Sequence, residues 1–145
     1  MAPRFYSKEW WDAIIARTNN DQEYLKKTKK YNVSYLFIVT DCPDGNDLKV
    51  YLKLEKGKVI KFNYEAKPSP ASFRVENESW DESISDYRLQ ASYDTYKQLQ
   101  LKEINAMQAM IKKLYQVEGN IAKQMLIMNE SQAFNDLQAS IECEY

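Results

Sequence analysis

Histidine is absent from this chain of 145 residues. With it go the side chain that titrates near neutral pH unaided, the Ser/His/Asp and Cys/His catalytic arrangements, and most zinc ligation. Glycine is scarce: Gly45, Gly57 and Gly119 are the three in the sequence. They are too scattered to form a phosphate-cradling loop or a dinucleotide fingerprint. Cys42 and Cys143 are the two cysteines, in no CxxC or Cys/His spacing, and read as free thiols in a reducing compartment. No apolar run approaches the roughly 20 residues of a membrane span. The N-terminal MAPRFYSKEWW has no apolar stretch of signal-peptide length. A soluble, cytoplasmic protein is therefore expected, with no catalytic residues, no metal and no cofactor. Net charge is −1, from 20 basic and 21 acidic residues. That balance lacks the basic face of a nucleic-acid binder, so no nucleic-acid partner is expected and membrane contact is at most transient.

What the chain does have is soft apolar bulk in one place. Four of its five methionines fall between Ala106 and Met128, in AMQAMIKKLYQVEGNIAKQMLIM. Methionine is unbranched and polarizable, and it fills irregular space that must tolerate rearrangement. The length suits one domain, 1–145, burying roughly 70% of the surface its unfolded chain exposes. No internal repeat or linker divides it.

Periodicity gives the elements. Ser7 caps a helix with Trp10, Trp11, Ile14 and Ile15 on one face. Asn20 with Glu23 reads as a capping box opening a second short helix, which runs out in the lysines of KKTKK. Val33 to Thr40 is apolar on both faces, as a central strand is. Leu48, Val50, Leu52 and Leu54 alternate with wetter residues, Lys56-Gly57 makes a two-residue hairpin, and Ile60, Phe62 and Tyr64 continue the buried face on a third strand. SFRV is read as a short edge strand around Phe73 and Val75. The carboxylates Glu76, Glu78, Asp81, Glu82 and Asp86 have no EF-hand spacing and read as a solvated loop. Tyr87, Leu89 and Ala91 form a further strand. Ser92 caps the next helix, carrying Tyr93, Tyr96 and Leu99. Asn105 with Gln108 is a second capping box, Leu114 to Val117 a strand stopped by Gly119, and Ile121, Met125, Met128, Phe134, Leu137 and Ile141 carry the terminal helices. Strands followed by helices favour an α+β domain.

This order resembles the sterol carrier protein type two family. The residues that carry the likeness are Ser92-Tyr93-Asp94-Thr95-Tyr96, Ile104 to Met110, and Lys113 to Ile121. The family's proline is here Ala106, and two of its glycines are Lys112 and Lys102. Those lysines fit without strain if φ is negative there. The segment Glu76 to Asp86 is an atypical insertion. The resemblance implies about five strands in a mostly antiparallel sheet covered by helices, and an apolar tunnel that takes a lipid tail. It also implies a function: non-catalytic binding or transfer of a fatty acid, acyl-coenzyme A, sterol or isoprenoid lipid. The ligand-binding residues expected are Phe37, Leu52, Phe62, Leu89, Met107, Met110, Ile111, Ile121, Met125, Met128 and Phe134. The alternative use of the same apolar groove is protein interaction or dimerisation, the groove being closed by another chain or by a second copy in a homodimer.

Overall fold

The switch from period two to period 3.6 along the chain sets the architecture, and the computed structural model, which describes residues 2–145, follows it. Helices α1 (Lys8–Asn20) and α2 (Gln22–Lys27) precede strands β1 (Val33–Thr40), β2 (Asn46–Glu55) and β3 (Lys58–Pro68). Then come β4 (Tyr87–Ser92), α3 (Tyr93–Gln100), α4 (Ala106–Ile111), β5 (Tyr115–Gly119), α5 (Ile121–Leu126) and α6 (Met128–Ser140). The five strands form one mixed sheet in the order β3-β2-β1-β4-β5. The doubly apolar β1 is central, as its composition requires. It runs parallel to β4, with Phe37 opposite Leu89, and β4 runs antiparallel to β5, with Tyr87 opposite Gly119.

Local signals act where they are strong. The Ser7 hydroxyl accepts from the Trp10 N–H at 3.2 Å. Asn105 and Gln108 exchange both bonds of their capping box, at 2.8 and 3.0 Å. Lys56 and Gly57 both take positive φ, 51° and 83°, as a primed hairpin turn demands. At α2 the cap is one residue later than the sequence suggests: Asp21, not Asn20, accepts from Tyr24 N–H, while Asn20 donates to Ala16 O at the end of α1. On β2, Leu48, Val50, Leu52 and Leu54 are fully buried. On β3 the expected face fails: Val59 is buried, Ile60 is exposed, and Phe62 and Tyr64 are half-buried. An edge strand is covered over part of its length only, so alternation there does not report burial. SFRV is a loop, because Arg74 is drawn into ion pairs instead of a ladder.

Two compact units divide the chain. The first comprises the stretch ending at Val33, the β2–β3 turn (Lys53–Lys61), and Ile121–Tyr145. Within it α1 packs on α2 and α6, and α2 on α6. Phe5, Trp10 and Trp11 are fully buried, with Phe5 against Trp10 at 5.1 Å and Trp10 against Trp11 at 4.8 Å between ring centres. Tyr24 donates to Gly57 O at 2.8 Å, and Asn19 binds both backbone groups of Val59, so the helices grip the turn. Phe5 N–H donates to Glu144 O at 2.7 Å and Glu144 N–H to Pro3 O at 2.8 Å, tying the two chain ends together.

The second unit comprises Ser34–Leu52 and Phe62–Asn120. Here α3 packs on β4 and α4 on β5. Buried Asp47 is its polar anchor. Its carboxylate accepts from Arg74 Nε and Nη2, Ser69 Oγ, Ala71 N–H and Asp41 N–H, and Arg74 reaches on to Asp41. The loop Ser69–Val75 is thereby fixed to the start of β2. Gly119 sits against Tyr87, and a Cβ there would lie 2.7 Å from Asp86 O and closer still to the Tyr87 ring. Gly119→Ala is expected to cost about 1–3 kcal/mol by overpacking, read as a lower denaturant midpoint at unchanged slope.

Candidate functional site

The eleven residues expected to bind ligand separate into two classes by exposure. Phe37, Leu52 and Leu89 on the sheet are buried, and Phe62 is half-buried. Phe134 is buried in the first unit, facing Tyr24 and Tyr31 at 6.4 and 6.1 Å. The other six are exposed: Met107 (71%), Met110 and Ile111 (74%) on α4, and Ile121, Met125 and Met128 from α5 to the start of α6. Large apolar side chains in such numbers on two six-residue helices are unusual for a globular surface, where contiguous apolar patches mark contacts with ligands, membranes or partners. Leu101, Leu114 and Leu126 (83%) share this exposure and were not among the expected residues. The signal for them was composition rather than period, since α4 buries only Ala109 and α5 buries nothing.

Each helix exposes its apolar residues within its own unit. Those on α4 belong to the second unit, which holds α4 to β5 through Ala109. Those on α5 belong to the first, where α5 touches α6. Neither helix could persist alone at this length, so both rest on their neighbours.

Both α3 and α4 end in the same backbone motif. Lys102 N–H donates to Leu99 O and Glu103 N–H to Gln98 O; Lys113 N–H donates to Met110 O and Leu114 N–H to Ala109 O. This paired closure places the residue after the cap in the left-handed region, usually as glycine. Here it is Lys102 and Lys113, each at φ 60°. The expectation of negative φ holds at Lys112, at −79°, and fails at Lys102. A side chain in this conformation costs on the order of 1 kcal/mol relative to glycine.

Polar chemistry around the second unit's strands is structural. Burial, then the neighbouring Tyr35 and Asp86, push the Tyr87 phenol up to about 12. It stays a neutral donor, bonded to Asn120 O at 2.8 Å. Burial also pushes the Tyr115 phenol up. Arg88 pairs with Glu118 at 2.7 Å across β4–β5 and donates to Glu78 O, holding the loop of the insertion. A hydrogen bond from Glu76 N–H keeps the exposed Glu78 carboxyl below the usual range. Trp80 is half-buried within the same loop. Among the described residues no cluster of three His, Cys, Asp or Glu side chains could hold a metal ion, and no helix is long and apolar enough to cross a membrane.

Comparison with known proteins agrees with this architecture. A crystal structure of sterol carrier protein 2 superposes with a TM-score of 0.68 at 17% identity, covering 96% of this chain and all of that one. The solution structure of a conserved hypothetical protein from Thermus thermophilus gives 0.67 at 17% identity over 97% of this chain and 91% of the other. Apo sterol carrier protein 2 from Yarrowia lipolytica gives 0.54 at 19% identity, over 98% and 97%. At such identities these likenesses speak for the fold. No curated protein sequence matches the chain. The family model of the SCP-2 sterol transfer family matches residues 12–130, and by that match the chain belongs to this family.

Proposed function

We propose that the protein binds and transfers a hydrophobic ligand, a fatty acid, acyl-coenzyme A, sterol or isoprenoid lipid, in an apolar tunnel, making and breaking no bond. The observation that carries this reading is the exposure of Met107, Met110 and Ile111 on α4 and of Ile121, Met125 and Met128 from α5 onward, in a member of a sterol transfer family. Side chains left in water at such density gain by covering a hydrocarbon tail, at about 0.8 kcal/mol per buried methylene. Methionine suits the role because it follows ligands of different shape. Phe37, Leu52, Phe62 and Leu89 in the second unit, and Phe134 in the first, are the remaining residues we assign to ligand binding. The match across 12–130 supports reading 1–145 as one functional domain.

A tail of about fifteen methylenes contributes on the order of 12 kcal/mol against an association cost of about 4 kcal/mol, a surplus of about 8 kcal/mol that corresponds to micromolar affinity and fast exchange. Native mass spectrometry after incubation with mixed fatty acids, acyl-coenzyme A and isoprenoid lipids is expected to show a one-to-one complex, with displacement of a fluorescent fatty acid in solution. Unliganded protein in every mixture, with no displacement, refutes the reading. The exposed α5 also suits a second reading, in which a copy of the chain covers it. That reading requires a dimer that Met125→Lys dissociates with no loss of lipid.

A further inference from the structure

We propose that the segment Leu101–Leu114 is a docking surface for an anionic lipid bilayer, with Lys102, Lys112 and Lys113 meeting the headgroups and Met107, Met110 and Ile111 entering the acyl boundary.

Three observations carry it. First, this stretch of fourteen residues buries one side chain, Ala109, and leaves Leu101, Met107, Met110, Ile111 and Leu114 exposed. Second, its charge is one-sided: three lysines against Glu103, in a chain whose net charge is −1. Among the described residues no carboxylate pairs with Lys102, Lys112 or Lys113. Third, Lys102 and Lys113 both occupy left-handed positions that glycine fills at lower cost. The helix dipoles do not require them, because Lys97 in the last turn of α3 and Lys112 at the cap of α4 already serve those ends. A cation kept twice at a position that disfavours any side chain, each time beside exposed apolar residues, implies a use for the charge.

A short apolar ridge flanked by lysines fits the interface of an anionic membrane, where the methylene stems of lysine lie along the apolar layer and the ammonium groups reach the headgroups. A second copy of the chain fits poorly, because a two-fold contact through this patch brings like charges together. Nucleic acid has no use for the apolar centre. For a carrier, docking places the ligand's entry or exit beside its source membrane; in that respect the inference rests on the proposed carriage of lipid, while its test does not.

The test is co-sedimentation of the full chain with vesicles of phosphatidylcholine alone or mixed with phosphatidylserine. The wild type is expected to bind the mixed vesicles, to bind neutral ones weakly, and to release as salt rises. The double variant Lys102→Gly/Lys113→Gly relieves the backbone while removing both charges. It is expected to melt at a higher temperature and yet lose binding to mixed vesicles by roughly fivefold per lysine, about 25-fold in all. Fluorescent fatty-acid displacement in solution is the independent readout of carriage. The proposal falls if the wild type does not prefer the anionic vesicles, if the double variant binds them as the wild type does, or if sedimentation shows a dimer formed through this segment. Failure of displacement alone removes the carrier reading and leaves docking intact.

Discussion

Asp47→Asn is expected to destabilise the fold by about 3–5 kcal/mol, the cost of breaking an ion pair from its buried side. Asp47 is fully buried, whereas Arg74 keeps about a quarter of its side chain in solvent (28%). Five hydrogen bonds reach the two carboxylate oxygens, from Arg74 Nε and Nη2, Ser69 Oγ, Ala71 N–H and Asp41 N–H. An amide has one oxygen to offer them and turns two donors of its own towards donors. Removing the guanidinium instead leaves Asp47 three partners, so Arg74→Ala is expected to cost less, about 1–3 kcal/mol. Denaturant titration of the two variants checks this order, and equal costs would mean that the charge pair rather than the whole acceptor site is what matters.

The same site gives an acid dependence. Burial raises the Asp47 carboxyl, but the Arg74 guanidinium, Ala71 N–H, the Ser69 hydroxyl and Asp41 N–H together outweigh it and hold the group well below the usual carboxylate range. A depressed folded value means that the unfolded chain takes up the proton first. The contribution is therefore complete above about pH 4, where an unfolded aspartate is ionised, and is lost as pH falls from there towards the folded value. Asp47→Asn should flatten that part of the stability profile. A wild-type and variant pair with parallel acid limbs would assign the dependence to other carboxylates.

Trp10→Ala is the counterpart in the first unit, expected to cost about 3–5 kcal/mol by opening a cavity in an aromatic core. Trp10 has no solvent exposure, and its ring meets Phe5, Tyr6 and Trp11 at 5.1, 5.0 and 4.8 Å, each edge to face. Its indole Nε1–H, however, is buried with no hydrogen-bond partner among the described residues. That desolvated donor offsets part of what the ring contributes. Trp10→Phe keeps most of the ring, discards the donor, and should cost no more than about 1.5 kcal/mol. A phenylalanine variant as unstable as the alanine one would show that ring size outweighs the orphaned donor. Thermal melts of both, referenced to wild type, decide the point.

How far the sequence speaks depends on how local the deciding force is. Ser7, Ser92 and the Asn105–Gln108 box act within one turn, and each caps the helix that the sequence assigns to it. The alternation of Leu48, Val50, Leu52 and Leu54 reports burial faithfully because β2 lies inside the sheet. On β3 the same period misleads at Ile60, since an edge strand is covered only where another element reaches it. The Asp47–Arg74 anchor joins residues 27 apart in sequence, and nothing in DCPDGND or SFRV announces it: the acid reads as a turn residue and the arginine as part of a strand. Met107, Met110 and Ile111 of α4 stand at i, i+3 and i+4, a spacing that usually marks a buried face and here marks an exposed one. Only the solvent on the other side distinguishes the two. The left-handed lysines were invisible because backbone φ at a helix end is set by the chain's next direction, not by the side chain that occupies it.

The bridge between Arg4 and Glu144 bears on mechanics. The two segments run parallel there, so tension applied to the ends of the chain pulls them in opposite senses along their length, as shear rather than peeling. The clasp of Phe5 with Glu144 and Glu144 with Pro3 then resists as a pair, and terminal segments that would otherwise fray are held as one knot at the rim of the aromatic core.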